Sequence, residues 1–179
     1  LSQYEEYIDT ESGFCNDRST LNLQTGVGVR AVTTYYKGYL RAVTSSPDLN
    51  CENADDLFTV SSSSKGNKAL TYPIGLITMD EALLSGYGGG VFDGQTSLQK
   101  LAPDTYLTIG NLFSTMTPVG GYNSYGSEFW VANVFDVNAT GKIDEHAANQ
   151  ERAFRPTINL KADVTISGEG TISDPYIVS

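Results

Sequence analysis

The chain is poor in the residues that most often carry acid–base and metal chemistry. Its 179 residues include one histidine, two cysteines and one tryptophan. A zinc centre takes three or four His, Cys or carboxylate ligands, and one histidine with two distant cysteines does not supply such a set. Basic residues are scarce as well: 11 Lys and Arg stand against 21 Asp and Glu, a formal charge of -10. That surface repels phosphate backbones and anionic head groups, which argues against nucleic-acid and membrane-surface partners. No apolar run approaches the roughly 20 residues that span a bilayer, so no membrane insertion by this segment is expected. The chain opens Leu1-Ser2-Gln3-Tyr4, without an initiator Met. It reads as a domain excised from a longer precursor, with targeting and anchoring segments elsewhere.

What is present points to a folded, β-rich chain. Hydrophobic residues at 40% and aromatics at 11% are globular values. Eighteen glycines and eleven tyrosines, with many Ser, Thr and Asn, favour strands joined by tight turns. The expected class is α+β, β-rich with short helices and long loops. The length suits one domain over residues 1–179. At this size a core can form without a disulfide or metal. Cys15 and Cys51 nevertheless sit in polar, loop-like surroundings, Gly13-Phe14-Cys15-Asn16-Asp17 and Leu49-Asn50-Cys51-Glu52-Asn53. They read as a Cys15–Cys51 disulfide and an extracellular setting, rather than two free thiols of a cytosolic protein.

Along the chain, Ser2 and Glu5 have capping-box spacing, for a short helix or a frayed start over Ser2–Asp9. Gly26–Val43 reads as extended, with Val27, Val29, Ala31 and Thr33 alternating before Tyr35-Tyr36. The serines at 61–64 form an ordinary surface loop. Tyr72–Ile77 is a short strand, and Thr78 with Glu81 caps a helix that ends at Gly86. Gly86–Gly94 is glycine-rich but has neither phosphate-loop nor dinucleotide spacing. From Tyr106 onward strands follow: Tyr106–Ile109, Leu112–Met116, Phe129–Val137 and Phe154–Leu160. In Phe129–Val137 the residues Phe129, Val131, Asn133, Phe135 and Val137 share one face. Asn138–Gly141 makes a turn, Pro156 marks an edge or bulge, and Val164–Val178 closes as a hairpin around Ser167–Gly170.

Catalytic signatures are thin. His146 lies in the polar run Asp144–Asn149 with no Gly-x-Ser-x-Gly elbow in the chain, and reads as a solvated loop histidine. No cofactor is expected. The oxygen clusters Asp9/Glu11, Asn53/Asp55/Asp56 and Asp144/Glu145 are compatible with a structural calcium ion, though none follows the twelve-residue loop pattern. Asn138-Ala139-Thr140 is formally a glycosylation sequon and reads as turn chemistry. The positive signal is Thr117–Trp130, rich in Tyr, Asn, Ser and Gly and ending on the single Trp. Rigid aromatics beside small polar residues are the composition of binding loops. Trp130 fits the core equally well; Tyr122 and Tyr125 read as exposed.

Several segments resemble a surface-protein domain widespread in gut Gram-positive bacteria. They are Gly13–Arg18, Lys65–Thr78, Ser114–Pro118 and Arg155–Val164. Such domains often follow a prepilin-type leader and a hydrophobic helix. The layout, with an Arg-Pro-x-Ile-Asn-Leu strand after a variable loop region, is similar to C-type-lectin-like domains of the formylglycine-generating-enzyme type. That resemblance implies a C-type-lectin-like fold presenting its late loops, here Tyr122–Trp130 and His146–Arg152. The implied ligand-binding residues are Tyr122, Asn123, Tyr125, Glu128, Trp130, His146, Asn149 and Arg152. Two departures limit it. The Glu-Pro-Asn, Gln-Pro-Asp and Trp-Asn-Asp motifs of calcium-dependent sugar binding are absent, and both cysteines precede residue 52, so the catalytic cysteines have no counterpart.

The expectation is therefore a cell-surface, non-catalytic adhesion or binding domain for a protein or glycan ligand. A second reading is a pilin-like subunit of a surface assembly, associating through a segment N-terminal to Leu1. A third, a carboxylate-dependent hydrolase, would require a deep pocket lined by two acids of shifted pKa.

Overall fold

The computed structural model describes residues 4–21, 34–61, 65–86, 112–123 and 130–179, with only the backbone of Tyr122, Asn123, Trp130 and Val131. After a 3₁₀ turn at Glu5–Tyr7, the elements run β1 (Phe14–Cys15), β2 (Thr34–Tyr35), α1 (Lys37–Thr44), a 3₁₀ turn at Ala54–Asp56, β3 (Leu57–Phe58), β4 (Gly75–Leu76) and α2 (Met79–Leu84). There follow β5 (Phe113–Asn123), β6 (Trp130–Val137), β7 (Ile143–Ala147), β8 (Ala153–Phe154), β9 (Pro156–Thr157), β10 (Ile166–Ser167) and β11 (Ile177–Val178). This is a β-rich α+β arrangement with few, short helices.

The central sheet has the order β2-β5-β6-β7, all antiparallel, with β8 lying parallel beside β5. β5 and β6 are the long strands. Their register slips on either side of Pro118, which has no N–H to give to the ladder. Beyond it, Gly120 and Gly121 lie against Tyr35 and Thr34 of β2. A Cβ at Gly120 would run into the Thr34 carbonyl oxygen, so only glycine permits this approach.

One face of the sheet carries the core. Phe113, Phe135, Val137 and Ile143 are at most 1% exposed and pack with Val119, Met79, Ala82 and Ala42. Each large apolar side chain so buried stabilises the fold by roughly 1.5–3 kcal/mol. α2 is tied to this face locally and at long range. The Thr78 hydroxyl accepts from Glu81 N at 3.0 Å while Glu81 Oε2 accepts from Thr78 N at 2.7 Å, the expected capping box. Met79 N donates to Thr117 Oγ1 on β5.

α1 corrects the extended reading of Gly26–Val43, of which 26–33 lies outside the described residues. Tyr35 is in a strand, but Lys37–Thr44 is a helix, because tertiary packing overrides the β-preference of its aromatic and branched residues. Gly38 and Ala42, four apart, are the buried stripe. The Gly38 α-carbon sits so close to Thr117 Cγ2 that a Cβ would lie 2.8 Å from it. The helix stops at Ser45, left-handed at φ 50°, where Ser46 N reaches Arg41 O and Ser45 N reaches Ala42 O.

The remaining strands are shorter than expected. Tyr72–Ile77 contributes only β4, and Phe154–Leu160 is broken into β8, β9 and a bridge from Leu160 to Ile8. Pro156 lies in the two-stranded β4–β9 pair, an edge position. The first 3₁₀ turn, Glu5–Tyr7, has no side-chain cap from Tyr4, and Ser2 of the expected capping box lies outside the described residues. The Asn138–Gly141 turn and the β10–β11 hairpin form as expected, with Gly141, Gly168 and Gly170 at positive φ. Cys15 and Cys51 are disulfide-bonded. No described helix is long and apolar enough to cross a membrane. The Tyr106–Ile109 strand, the 62–64 part of the serine tract and the 87–94 part of the glycine-rich turn lie outside the described residues.

Candidate functional site

The sheet register brings the two expected binding segments to one end. β5 and β6 close as a hairpin at Asn123 and Trp130, so residues 124–129 join their ends. β7 leaves the sheet at the same end: Asn133 faces Ala147, and Ala148 N donates to Ala132 O at 2.7 Å. The exit of β7 is therefore only two or three residues of β6, about 10 Å, from Trp130. The side chains of Tyr122, Asn123 and Trp130, and the whole of Tyr125 and Glu128, lie outside the described residues.

From that exit the chain turns back. Phe154 follows a parallel pairing of Ala153 with Phe113, on the far side of β5 from β6. Residues 148–152 must therefore cross the sheet, and they do so on the face opposite the helices. Asp136 is on that face, between the core residues Phe135 and Val137, and it is fully buried. His146 Nδ1 contacts Asp136 Oδ2. Arg152 Nε lies 3.3 Å from the same oxygen, and its Nη2 donates to Gln150 Oε1 at 2.7 Å. Burial pushes the Asp136 carboxyl above the ordinary range. His146 and Arg152 pull it down, and Asp144 directly across the strand pair adds to the rise. Asp136 Oδ1 is buried without a hydrogen-bond partner.

This overturns the reading of His146 as a solvated loop residue. It belongs to β7, its side chain is 26% exposed, and it is committed to a buried carboxylate. Of the other expected residues, Arg152 joins the same carboxylate, whereas Asn149 is exposed in the turn. Asp136 was missed. The signal available was an acid inside the apolar run Val134-Phe135-Asp136-Val137, an outward position by alternation that only a covering segment can bury.

A second feature lies on the helix side: a cleft of about 430 Å³ beside the disulfide. Six carboxylates, Asp9, Glu11, Asp17, Asp48, Asp80 and Glu81, line it against Arg41 and Lys65. Arg41 is its fixed element. Its Nε and Nη2 donate to the two oxygens of Asp80 at 2.7 and 2.9 Å, and Nη1 donates to Asp17 at 2.7 Å. Burial pulls the guanidinium down, but the bonds to Asp80 and Asp17 more than offset it and hold Arg41 above its ordinary range. Burial likewise raises Asp17, and the Ser19 and Arg41 hydrogen bonds outweigh it, leaving the carboxyl below the usual value of 3.8. Asp9 is lowered by bonds from the Ser12 hydroxyl and the backbone of Ser12 and Glu11. These two acids are thus held ionised, the opposite of what a general acid requires.

The oxygen clusters considered for calcium are largely occupied from within. Asp9 closes its own turn through Glu11 N, Ser12 N and Ser12 Oγ. Asn53 Oδ1 accepts from Asp55 N, and Asp56 takes Arg18 through Arg18 N at 3.0 Å and Nε at 2.6 Å. Glu145 accepts from Asn133. Among the described residues no group of three His, Cys, Asp or Glu side chains is placed to hold a metal ion. Asn138 Oδ1 accepts from Thr140 N, Thr140 Oγ1 and Lys142 N, which is turn chemistry.

No protein-family model, curated protein or solved structure matches the chain.

Proposed function

We propose that residues 1–179 are one extracellular domain of C-type-lectin-like type that binds a protein or glycan ligand without catalysis, through the hairpin end of its central sheet. The observation that carries this reading is the convergence at one sheet end of the ends of β5 and β6, at Asn123 and Trp130, and the exit of β7 toward Arg152. Segments distant in sequence thus meet at the ends of the two longest described strands. Rigid elements position a binding site better than free loops do. The Cys15–Cys51 bond supports an oxidising compartment. The lowered carboxyls of Asp9 and Asp17 in the cleft support binding over acid catalysis.

The test is a screen of the domain against immobilised glycans and cell-surface proteins, repeated with Tyr122→Ala, Tyr125→Ala and Trp130→Ala. A retained ligand whose affinity falls at least about tenfold in two of the three variants is expected, as for interface anchors. A ligand bound equally by all three variants overturns the site, and an empty screen counts against a binding role.

One observation favours the alternative of an assembly subunit. Tyr4, Ile158, Tyr176 and Ile177, between 40% and 59% exposed, surround an apolar groove of about 350 Å³. Large exposed apolar patches mark association surfaces. Sedimentation of the chain over a range of concentrations separates the two: a stable oligomer lost on Tyr176→Ser favours assembly, a monomer throughout favours the ligand-binding reading.

A further inference from the structure

Among the described residues, β10 and β11 pair only with each other. A two-stranded hairpin alone is marginally stable in water, yet this one leaves Ile166, Ile172, Tyr176 and Ile177 between 52% and 73% exposed. Its β11 side lies across the apolar groove of about 350 Å³ from the N-terminal 3₁₀ turn, with Tyr4, Ile8 and Leu160 lining the groove opposite Tyr176 and Ile177. The N-terminal side is fixed to the body of the domain. Ile8 is 2% exposed and bridges to Leu160, and Lys161 N donates to Tyr7 O at 2.9 Å. The Tyr176 ring is held by the turn of the hairpin, since it rests on Gly170, where an added Cβ would lie 2.5 Å from it. A groove whose aromatic wall is already in place loses little freedom on binding.

The surroundings of the groove are acidic. In the two segments that form it, residues 4–8 and 158–178, the charged side chains are Glu5, Glu6, Asp163, Glu169 and Asp174 against Lys161. Lys161 is already committed, its Nζ donating to Glu6 O at 2.6 Å. Two copies meeting about a twofold axis would set these acids against one another, which disfavours self-association through this face. A partner with positive charge beside its apolar residues meets them favourably. We propose that the groove docks a partner protein through an apolar segment flanked by Lys and Arg. The apolar residues fill the space between Tyr4 and Tyr176, the flanking cations meet the acids around it, and the hairpin gains the cover that its exposed isoleucines lack. This surface shares no residue with the hairpin-end site on β5 and β6.

The test is titration of the whole chain, followed by fluorescence anisotropy, with a labelled peptide carrying a Phe-Leu-Phe centre between Lys-Arg pairs. Two control peptides replace the pairs by Glu-Glu or the centre by Ser. Only the first is expected to bind saturably, with an affinity that falls on adding salt. Ile177→Ser should weaken it about tenfold, as for the loss of a central anchor. Glu5→Gln with Glu6→Gln should weaken it about two- to fivefold, the scale of exposed charge pairs. If Ile177→Ser unravels the hairpin, Ile158→Ser on the opposite side carries the test. The bound peptide should also raise amide protection across Ile166–Val178. Failure of the first peptide to bind, equal binding of the Glu-flanked one, or an unchanged affinity in the groove variants overturns the proposal. So does an oligomer lost on Ile177→Ser, which assigns the groove to a second copy. Loss of ligand binding in Tyr122→Ala or Trp130→Ala leaves these results unchanged, so the two proposals fail separately.

Discussion

Replacing Arg41 with Met tests whether the helix side of the sheet rests on a buried ion network. The guanidinium makes three short hydrogen bonds to two carboxylates, and the side chains of Arg41, Asp17 and Asp80 are 16%, 16% and 6% exposed. An exposed ion pair contributes about 0.2–1 kcal/mol. Removing one partner of a buried pair costs about 3–5 kcal/mol, because a desolvated charge is left uncompensated. Low exposure and bidentate geometry at Asp80 place Arg41 in the second regime. Met keeps most of the aliphatic volume, so the loss reports charge rather than a cavity. For a chain of this length the melting temperature should drop by about 10 °C.

The pH dependence sharpens the test. In the wild type Asp17 is held below its ordinary value of 3.8. Its contribution is therefore present above that value and is lost as pH falls through the lowered one. In Arg41→Met the orphaned carboxylates can be relieved only by protonation, so the deficit relative to wild type should be greatest near neutrality and should shrink toward about pH 4. Adding Asp80→Asn should recover part of the loss at neutral pH, since an amide oxygen still accepts the bond from Asp48 N. Urea unfolding at both pH values measures this. A loss below about 1 kcal/mol, or one that is the same at both pH values, would refute the argument.

Three further outcomes follow from single features. Reducing the disulfide, or replacing Cys15 and Cys51 together by Ser, frees a loop of 36 residues; chain entropy sets the cost at about 4 kcal/mol, read as a fall in melting temperature on adding reductant to the wild type only. Thr78→Ala removes one half of the capping box and should cost about 1 kcal/mol in urea unfolding, with Glu81→Ala giving a loss that is not additive with it. Gly120→Ala drives a methyl into the Thr34 carbonyl and should cost about 1–3 kcal/mol, whereas Gly86→Ala, outside the sheet, should leave the β2–β5 pairing intact by amide exchange.

Local features were legible in the sequence and long-range ones were not. The α2 capping box, the Asn138 turn, the closing hairpin and the Phe135/Val137 core face are each written within a few residues, where spacing and turn chemistry decide the structure. The disulfide could be read from cysteine number and polar surroundings. α1 could not, since Tyr35, Tyr36, Tyr39 and Val43 favour a strand locally, and what makes a helix there is Gly38 against Thr117 and Arg41 against Asp80. The Arg41 network joins residues 24 and 39 positions apart. Asp136 stands at an alternating position that local pattern assigns to solvent, and it is buried by a segment that returns only after β7.

The two charge clusters sit on opposite faces of one sheet, and their chemistry divides the molecule. On the helix face, a guanidinium that stays protonated at any physiological pH is shared by Asp80 and by Asp17, whose carboxyl is held below its ordinary value. That network, being poorly exposed, is little screened by salt. On the outer face the buried Asp136 is shared by His146 and Arg152. The helix side therefore anchors β5, and Arg152 anchors the crossing segment beside the exit of β7. A ligand that contacts only the Tyr122–Trp130 stretch should bind Arg152→Gln as it binds the wild type. One that also needs residues 148–152 in place should bind that variant more weakly. Measuring affinity for the two proteins thus maps how far the binding surface extends along the sheet.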